Sequence, residues 1–175
     1  MGGLCLIEPS ADKEEAFRDF IADWDESGEV KIPWILQRDN IDFGKYVNEL
    51  WGFKDGIGIP DNFVPHTTYW LFDGDRLVAV ANLRHRLTDS LKIAGGNIGY
   101  GVCPSQRRKG YATAILRETL REAAKLGLAE VLVTCDAVNT GSIGVILKNG
   151  GRLLGDSDWE GKRVNRYSIT ISRGD

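Results

Sequence analysis

One stretch of the 175-residue chain gathers its most suggestive chemistry: Tyr100-Gly101-Val102-Cys103-Pro104-Ser105-Gln106-Arg107-Arg108-Lys109-Gly110-Tyr111-Ala112-Thr113. An apolar strand pattern ends at a proline. Three consecutive cations follow, then a glycine, and an amphipathic helix opens at once and runs to about residue 126. The first turn of a helix carries N–H groups without intrahelical partners and a partial positive charge, which suits an anion such as phosphate. Gly110 allows the backbone to approach a ligand closely, and the small Ala112 keeps that approach open. Together these residues read as a pyrophosphate cradle. The competing reading is a solvated basic loop. Neither a Gly-x-x-x-x-Gly-Lys-Ser/Thr run nor a Gly-x-Gly-x-x-Gly opening a helix after a strand is present, so the two common nucleotide-loop motifs are not supported.

At these residues the chain resembles the GCN5-related N-acetyltransferase (GNAT) superfamily, whose signature is Arg/Gln-x-x-Gly-x-Gly/Ala between its fourth strand and the helix after it. Arg107, Gly110 and Ala112 fill that pattern, with Val102 and Pro104 at the usual offsets upstream. The resemblance implies an α/β (α+β) three-layer fold. In that fold a mixed, mostly antiparallel sheet of about seven strands has parallel fourth and fifth strands splayed around the cofactor, and helices cover both faces. It implies acetyl-CoA as co-substrate and no metal. Val102 and Cys103 are expected to meet the pantetheine arm through their backbone. Arg107, Arg108, Lys109, Gly110, Tyr111, Ala112 and Thr113 are expected to take the pyrophosphate. A second segment, Asn139-Thr140-Gly141-Ser142 leading to Lys148-Asn149-Gly150-Gly151, resembles the family's Asn-x-x-Ala/Ser run, with Asn139 and Ser142 beside the cofactor. The chain departs from the pattern at Ile146, where many relatives carry a tyrosine that protonates the departing thiolate, and at Gly151, often aromatic in relatives.

An ammonium ion has no lone pair, so an amine acceptor needs a base. His85 lies on a strand expected to border the cleft, and histidine titrates near neutrality. Asp136 follows the fifth strand at the cleft mouth, where a turn role is the alternative. Tyr100 offers a hydroxyl, and Asn97 on the same strand offers an amide to orient substrate. The acceptor wall is expected within 30–65, with Trp34, Asp39, Asp42 and Trp51 as candidates.

The elements that must position these groups follow from periodicity. A short strand is expected at 4–7. Ser10 caps a helix whose apolar stripe is Ala16, Phe17, Phe20, Ile21 and Trp24, stopping before Gly28. A second helix covers 43–53, and glycines and prolines make 54–65 a loop. Strands at 66–72 and 77–86 are joined by a tight Asp73-Gly74 turn, and 87–95 connects to a strand at 97–102. The helix from 111 buries Ala112, Ile115, Leu116, Leu120, Ala123 and Leu126. The run 130–135 is continuously apolar, as in a strand covered on both faces, and pairs in parallel with 97–102. Asn139 caps a helix over 142–149. Leu153-Leu154 and 164–171 are final strands.

Composition bounds the rest. Hydrophobic content of 42%, 27% charged residues and a net charge of -3 describe an ordinary globular chain of one domain over 1–175, with no nucleic acid partner. Three cysteines without metal spacing suggest free thiols in a reducing cytoplasm. No apolar run reaches the length of a membrane span, and the first residues carry no secretory leader. The expected activity is acetyl transfer from acetyl-CoA to a primary amine of a small molecule, less readily a peptide, by a monomer or homodimer. The alternative is a non-catalytic acyl-CoA-binding module.

Overall fold

A computed structural model describes residues 3–38 and 42–171. Asp39 therefore lies outside the described residues. The element order is β1 (Leu4–Ile7), α1 (Glu14–Ser27), α2 (Phe43–Lys54), β2 (His66–Asp73), β3 (Arg76–Arg84), α3 (Asp89–Ile93), β4 (Ile98–Val102), α4 (Tyr111–Lys125), β5 (Glu130–Asp136), α5 (Thr140–Lys148), β6 (Arg152–Trp159) and β7 (Lys162–Thr170).

Among the described residues, seven strands form two antiparallel sheets, β1-β2-β3-β4 and β5-β7-β6. The expected parallel ladder between β4 and β5 is absent. The two strands meet just before β4 begins, where Asn97 N–H donates to Leu132 O at 2.7 Å and Leu132 N–H donates to Asn97 Oδ1 at 2.8 Å. A side-chain amide thus takes the place of the next backbone partner, and pairing stops there. Asn97 is a clamp between sheets rather than a free substrate-orienting group.

Alternation along the strands sorts side chains to two faces. Trp70, Phe72 and Val80 pack against Phe17, Phe20 and Trp24 of α1 and Phe43, Val47, Leu50 and Phe53 of α2. On the opposite face, Leu71, Ala79, Ala81 and Val102 pack against Ala114 and Ile115 of α4, while Val131, Val133, Tyr167 and Ile169 join Leu116, Ala123 and Ile146 in the adjoining cluster. The result is three layers: α1 and α2, the sheets, then α4 and α5.

The α4 stripe buries Ala114, Ile115, Leu116, Thr119 and Ala123. Thr119 tolerates full burial because its hydroxyl donates to Ile115 O at 2.7 Å. Leu126, expected inside, is the C-cap residue and is exposed. Truncating the fully buried Leu116 to alanine costs roughly 2–5 kcal/mol. Two elements differ from the sequence reading. The connection 87–95 holds α3, five residues capped by Thr88 Oγ1 accepting from Leu91 N–H, too short to announce itself by periodicity. β6 extends well beyond Leu153-Leu154 because its outer edge is wet and accepts Asp156 and Asp158.

Candidate active site

Backbone parity defines an opening between β4 and β5. In the β3–β4 ladder, Arg84 N–H donates to Asn97 O and Cys103 N–H to Val78 O, so the odd-numbered residues of β4 face β3. Ile98, Tyr100 and Val102 therefore direct their N–H and C=O groups to the free edge. The same parity on β5, set by Ala137 N–H to Arg163 O, turns Thr134 and Asp136 toward that opening. Buried backbone groups at an unpaired edge demand partners. An extended amide-bearing chain fits this edge, and the pantetheine arm is one.

Val102 has the geometry expected of it. Cys103 does not: its N–H is committed to Val78 O and its carbonyl accepts from Gln106 N–H, so it offers no free backbone donor. Its thiol is buried, and burial, reinforced by nearby Asp23, pushes its pKa up to about 12, so it stays protonated.

The cradle is formed where the Pro104–Gln106 turn runs into α4. Gly110 takes φ 88, a left-handed value that a side chain strains, and no side chain caps the helix. The first helical bond is Ala114 N–H to Gly110 O, which leaves Tyr111, Ala112 and Thr113 N–H groups aimed out of the helix. Arg107 is not a free cation. Its guanidinium forks onto Glu29 at 2.9 Å for both bonds, its Nε donates to Val102 O at 3.3 Å, and it lies 5.2 Å from the Trp24 ring centre. Arg107 thus braces the cradle, and its own backbone N–H is engaged with Pro104 O at 3.3 Å. Lys109 leans on Gln106 at 2.8 Å. Arg108 projects from the loop and is exposed. Tyr111 donates its hydroxyl to Asp73 at 2.6 Å, tying α4 to the β2–β3 turn.

Asn139 caps α5, its Oδ1 accepting from Ser142 N–H at 3.0 Å. Ser142 Oγ sits 3.2 Å from Tyr100 Oη, so the β4 tyrosine reaches across to the start of α5. Burial pushes the Tyr100 pKa up to about 12, which makes it a proton-bearing donor and not a base. Ile146 is fully buried core.

The three catalytic candidates are not brought together. His85 follows β3 beside residue 96, at the Asn97 end of the opening. That is about 20 Å along the sheet from Val102. Its Nε2 is 2.8 Å from Thr67 Oγ1, and burial lowers its pKa. Asp136 closes a turn, its Oδ1 accepting from Val138 N–H at 3.1 Å.

Of the expected acceptor wall, Asp42 is spent capping α2 through Lys45 N–H. Trp51 is anchored to Pro9 O at 2.8 Å. Trp34 stays on the acceptor side, edge-on to Phe63 and His66. The segment around Pro33 roofs β4: Pro33 Cβ stands 3.8 Å from where a Gly99 side chain would begin, and a methyl on Gly101 would land on the Ile32 carbonyl. A cavity of about 620 Å³ opens elsewhere, lined by Asp19, Asp23, Glu26 and Arg76 among others. Its four carboxylates, Asp75 included, are the wrong sign for a pyrophosphate, so the cradle, not this cavity, is the cofactor candidate.

Sequence reasoning passed over four polar residues on the face away from α4: His66, Asn82, Arg84 and Arg166. His66 Nε2, Asn82 Oδ1 and Arg166 Nε are buried without a hydrogen-bond partner. The signal was present in Asn82 and Arg84, two polar residues at strand spacing in an otherwise apolar run.

Comparison with known proteins agrees with this geometry. A family model described as an acetyltransferase (GNAT) domain matches residues 4–152. None of the curated proteins matches the sequence. Among solved structures, a putative acetyltransferase from Salmonella typhimurium with acetyl-CoA bound aligns at TM-score 0.64 and 10% identity, over 98% of this chain and 95% of that one. The RimL ribosomal L7/L12 alpha-N-protein acetyltransferase with coenzyme A aligns at TM-score 0.67 and 17% identity, over 96% and 94%. A GNAT-family acetyltransferase from Streptococcus pneumoniae aligns at 0.66 and 11%, over 97% and 100%.

Proposed function

Given that the chain belongs to the GNAT acetyltransferase family, we propose that it moves the acetyl group of acetyl-CoA to the primary amine of a small molecule by direct attack in a ternary complex. The observation that carries this reading is the pair of unpaired strand edges leading from Asn97–Leu132 to the bare first turn of α4. The N–H groups of Tyr111, Ala112 and Thr113 take the pyrophosphate, aided by Arg108 and Lys109. The edge groups of Val102 take the pantetheine amides, and Asn139 and Ser142 line its far side.

The N–H of Tyr100 points into the opening, where it polarises the thioester carbonyl as negative charge develops on the oxygen. The amine lone pair then forms the C–N bond, the C–S bond breaks, and the thiolate leaves. The Tyr100–Ser142 hydroxyl pair faces the α5 side and donates a hydrogen bond to that sulfur. With Tyr100 near 12 and a thiol near about 8.5, the pair stabilises the thiolate, and solvent supplies the proton. The amine's proton leaves by water from the acceptor side. Most of the acceleration on this reading is positioning.

The test is calorimetric titration with acetyl-CoA, with ATP and NAD as controls, on the native protein and on Gly110→Glu. Selective acetyl-CoA binding, weakened about 10²-fold or more by the new carboxylate beside the pyrophosphate, is expected. Failure of the folded native protein to bind acetyl-CoA would overturn the reading. The second reading, a binding module without turnover, is favoured only by Ile146, which places core where relatives place a proton donor. It predicts binding with no CoA release from any amine.

A further inference from the structure

Two arginines stand out on the face away from α4 because neither forms an ion pair among the described residues. Arg84 ends β3. Its Nη1 donates to the carbonyls of Gly95 and Gly96, both at 3.0 Å. A guanidinium has five N–H donors. Among the described residues no carboxylate lies within salt-bridge distance of it, and burial lowers its pKa with nothing opposing. Arg166 is on β7, in register with Thr134 of β5. Its Nε is buried and unpartnered. The carboxylate that feels its charge, Asp156, is already bonded to Arg163 at 2.6 Å.

The two cations belong to one place. Gly95, whose carbonyl holds Arg84, donates its N–H to Thr134 Oγ1 at 2.8 Å, and Thr134 is the cross-strand neighbour of Arg166. Cross-strand neighbours on one face stand about 5 Å apart at Cβ. Both side chains leave the sheets on the face away from α4, because Leu83 and Tyr167, their alternates on β3 and β7, pack in the α4–α5 core. The pyrophosphate cradle is on the other side, so these charges are not for CoA. Arg84 Nη1 also stands 4.0 Å from where a side chain on Gly99 would begin, with Pro33 as the roof. A small shelf beside the β4 edge is therefore bounded by a guanidinium and left without a side chain of its own.

Burying charge without a counter-ion is costly unless a ligand supplies one. We infer that the acceptor is a zwitterionic amine, whose carboxylate is held between Arg84 and Arg166 while its amino group reaches over Gly99 to the thioester. This names the substrate class for the acetyl-transfer reading and rests on that reading.

The experiment first measures acetyl-CoA binding, then follows CoA release with the free L-amino acids, the matching amino acid amides, and spermidine. The expected result is that one or more free acids turn over with kcat/KM about 10²-fold above the matching amide. Arg166→Gln should then raise KM for the acid about 10²-fold, leave KM for acetyl-CoA and Tm unchanged, and bring acid and amide within about threefold. Arg84→Lys, which keeps the charge and loses the fork, should give a smaller rise in the same KM. Two outcomes overturn the inference while the acetyl-transfer reading stands. They are amides or spermidine used as well as the acids, or a preference for acids that survives Arg166→Gln. A protein that binds acetyl-CoA but acetylates none of the acids also overturns it. Absence of acetyl-CoA binding would instead sink the acetyl-transfer reading and this inference together.

Discussion

The two sides of the β4–β5 opening present different chemical groups. On the α4 side the groups on offer are backbone N–H donors, and the side chains around them are already engaged. Arg107 is locked to Glu29 and Trp24, and Tyr111 to Asp73. On the opposite side the backbone is roofed by the Ile32–Pro33 segment, and the unpartnered atoms belong to side chains, Arg166 Nε, Asn82 Oδ1 and His66 Nε2, beside Arg84, which bonds only to carbonyls. A cradle of main-chain donors fits one shape that every acetyl-CoA shares. A face of side chains can be changed residue by residue without disturbing the fold. The difference assigns constancy to one side and specificity to the other.

The sharpest way to break this contrast is at Gly101. Its α-carbon lies directly under the Ile32 carbonyl, and any Cβ would force the roof off the strand. Gly101→Val should lower stability by roughly 3 kcal/mol, a large value for a point change and diagnostic of a steric clash. Urea titration measures it. If the roof is only laid over the strand and can lift, stability will change by less than about 1 kcal/mol, while the acceptor KM rises. That outcome would make the roof a movable part of the acceptor side.

A finer probe is Tyr100→Phe, which deletes one hydroxyl from the α4–α5 side while keeping the ring and the backbone N–H. The expected loss is about tenfold in kcat, the scale of one hydrogen bond to a charged group, with KM for both substrates within twofold. Steady-state kinetics with a saturating acceptor would read it. An unchanged kcat would mean that the sulfur is protonated without help from the Tyr100–Ser142 pair.

The same contrast explains what the sequence made legible. The cradle was readable because main-chain donors must come from consecutive residues, so Arg107 to Thr113 form an unbroken string with its glycine and helix start. The proposed acceptor face was not, because Arg84, Gly95, Thr134 and Arg166 are brought together only by two strand registers and a loop. Nothing in the spacing of residues 84 and 166 announces a meeting. Cys103 was misjudged for a related reason. It ends an apolar strand like Val102 does, but hydrogen-bond parity, which depends on how β4 pairs with β3, turns its N–H away from the opening. The parallel β4–β5 ladder failed on one residue. Asn97 takes the Leu132 N–H with its side chain, a substitution of amide for backbone that apolar periodicity cannot register.

The smallest effect concerns His85, one of the candidate bases that the sequence offered. A base must reach the attacking nitrogen within about 3 Å, directly or through one water. His85 stands at the closed end of the opening, its backbone N–H bonded to Pro65 O and its Nε2 against Thr67. Thr67 is on the face that packs toward α4, whereas the proposed acceptor face is on the other side. Burial lowers the His85 pKa, so the ring is neutral at pH 7 and adds no charge to the field around the thioester. His85→Ala should therefore change kcat/KM by less than about threefold, and the pH profile should keep its acidic limb. A fall of about 10²-fold together with loss of that limb would restore His85 as the base. It would also require the acceptor to lie along β3 rather than over Gly99, moving the specificity face toward α2.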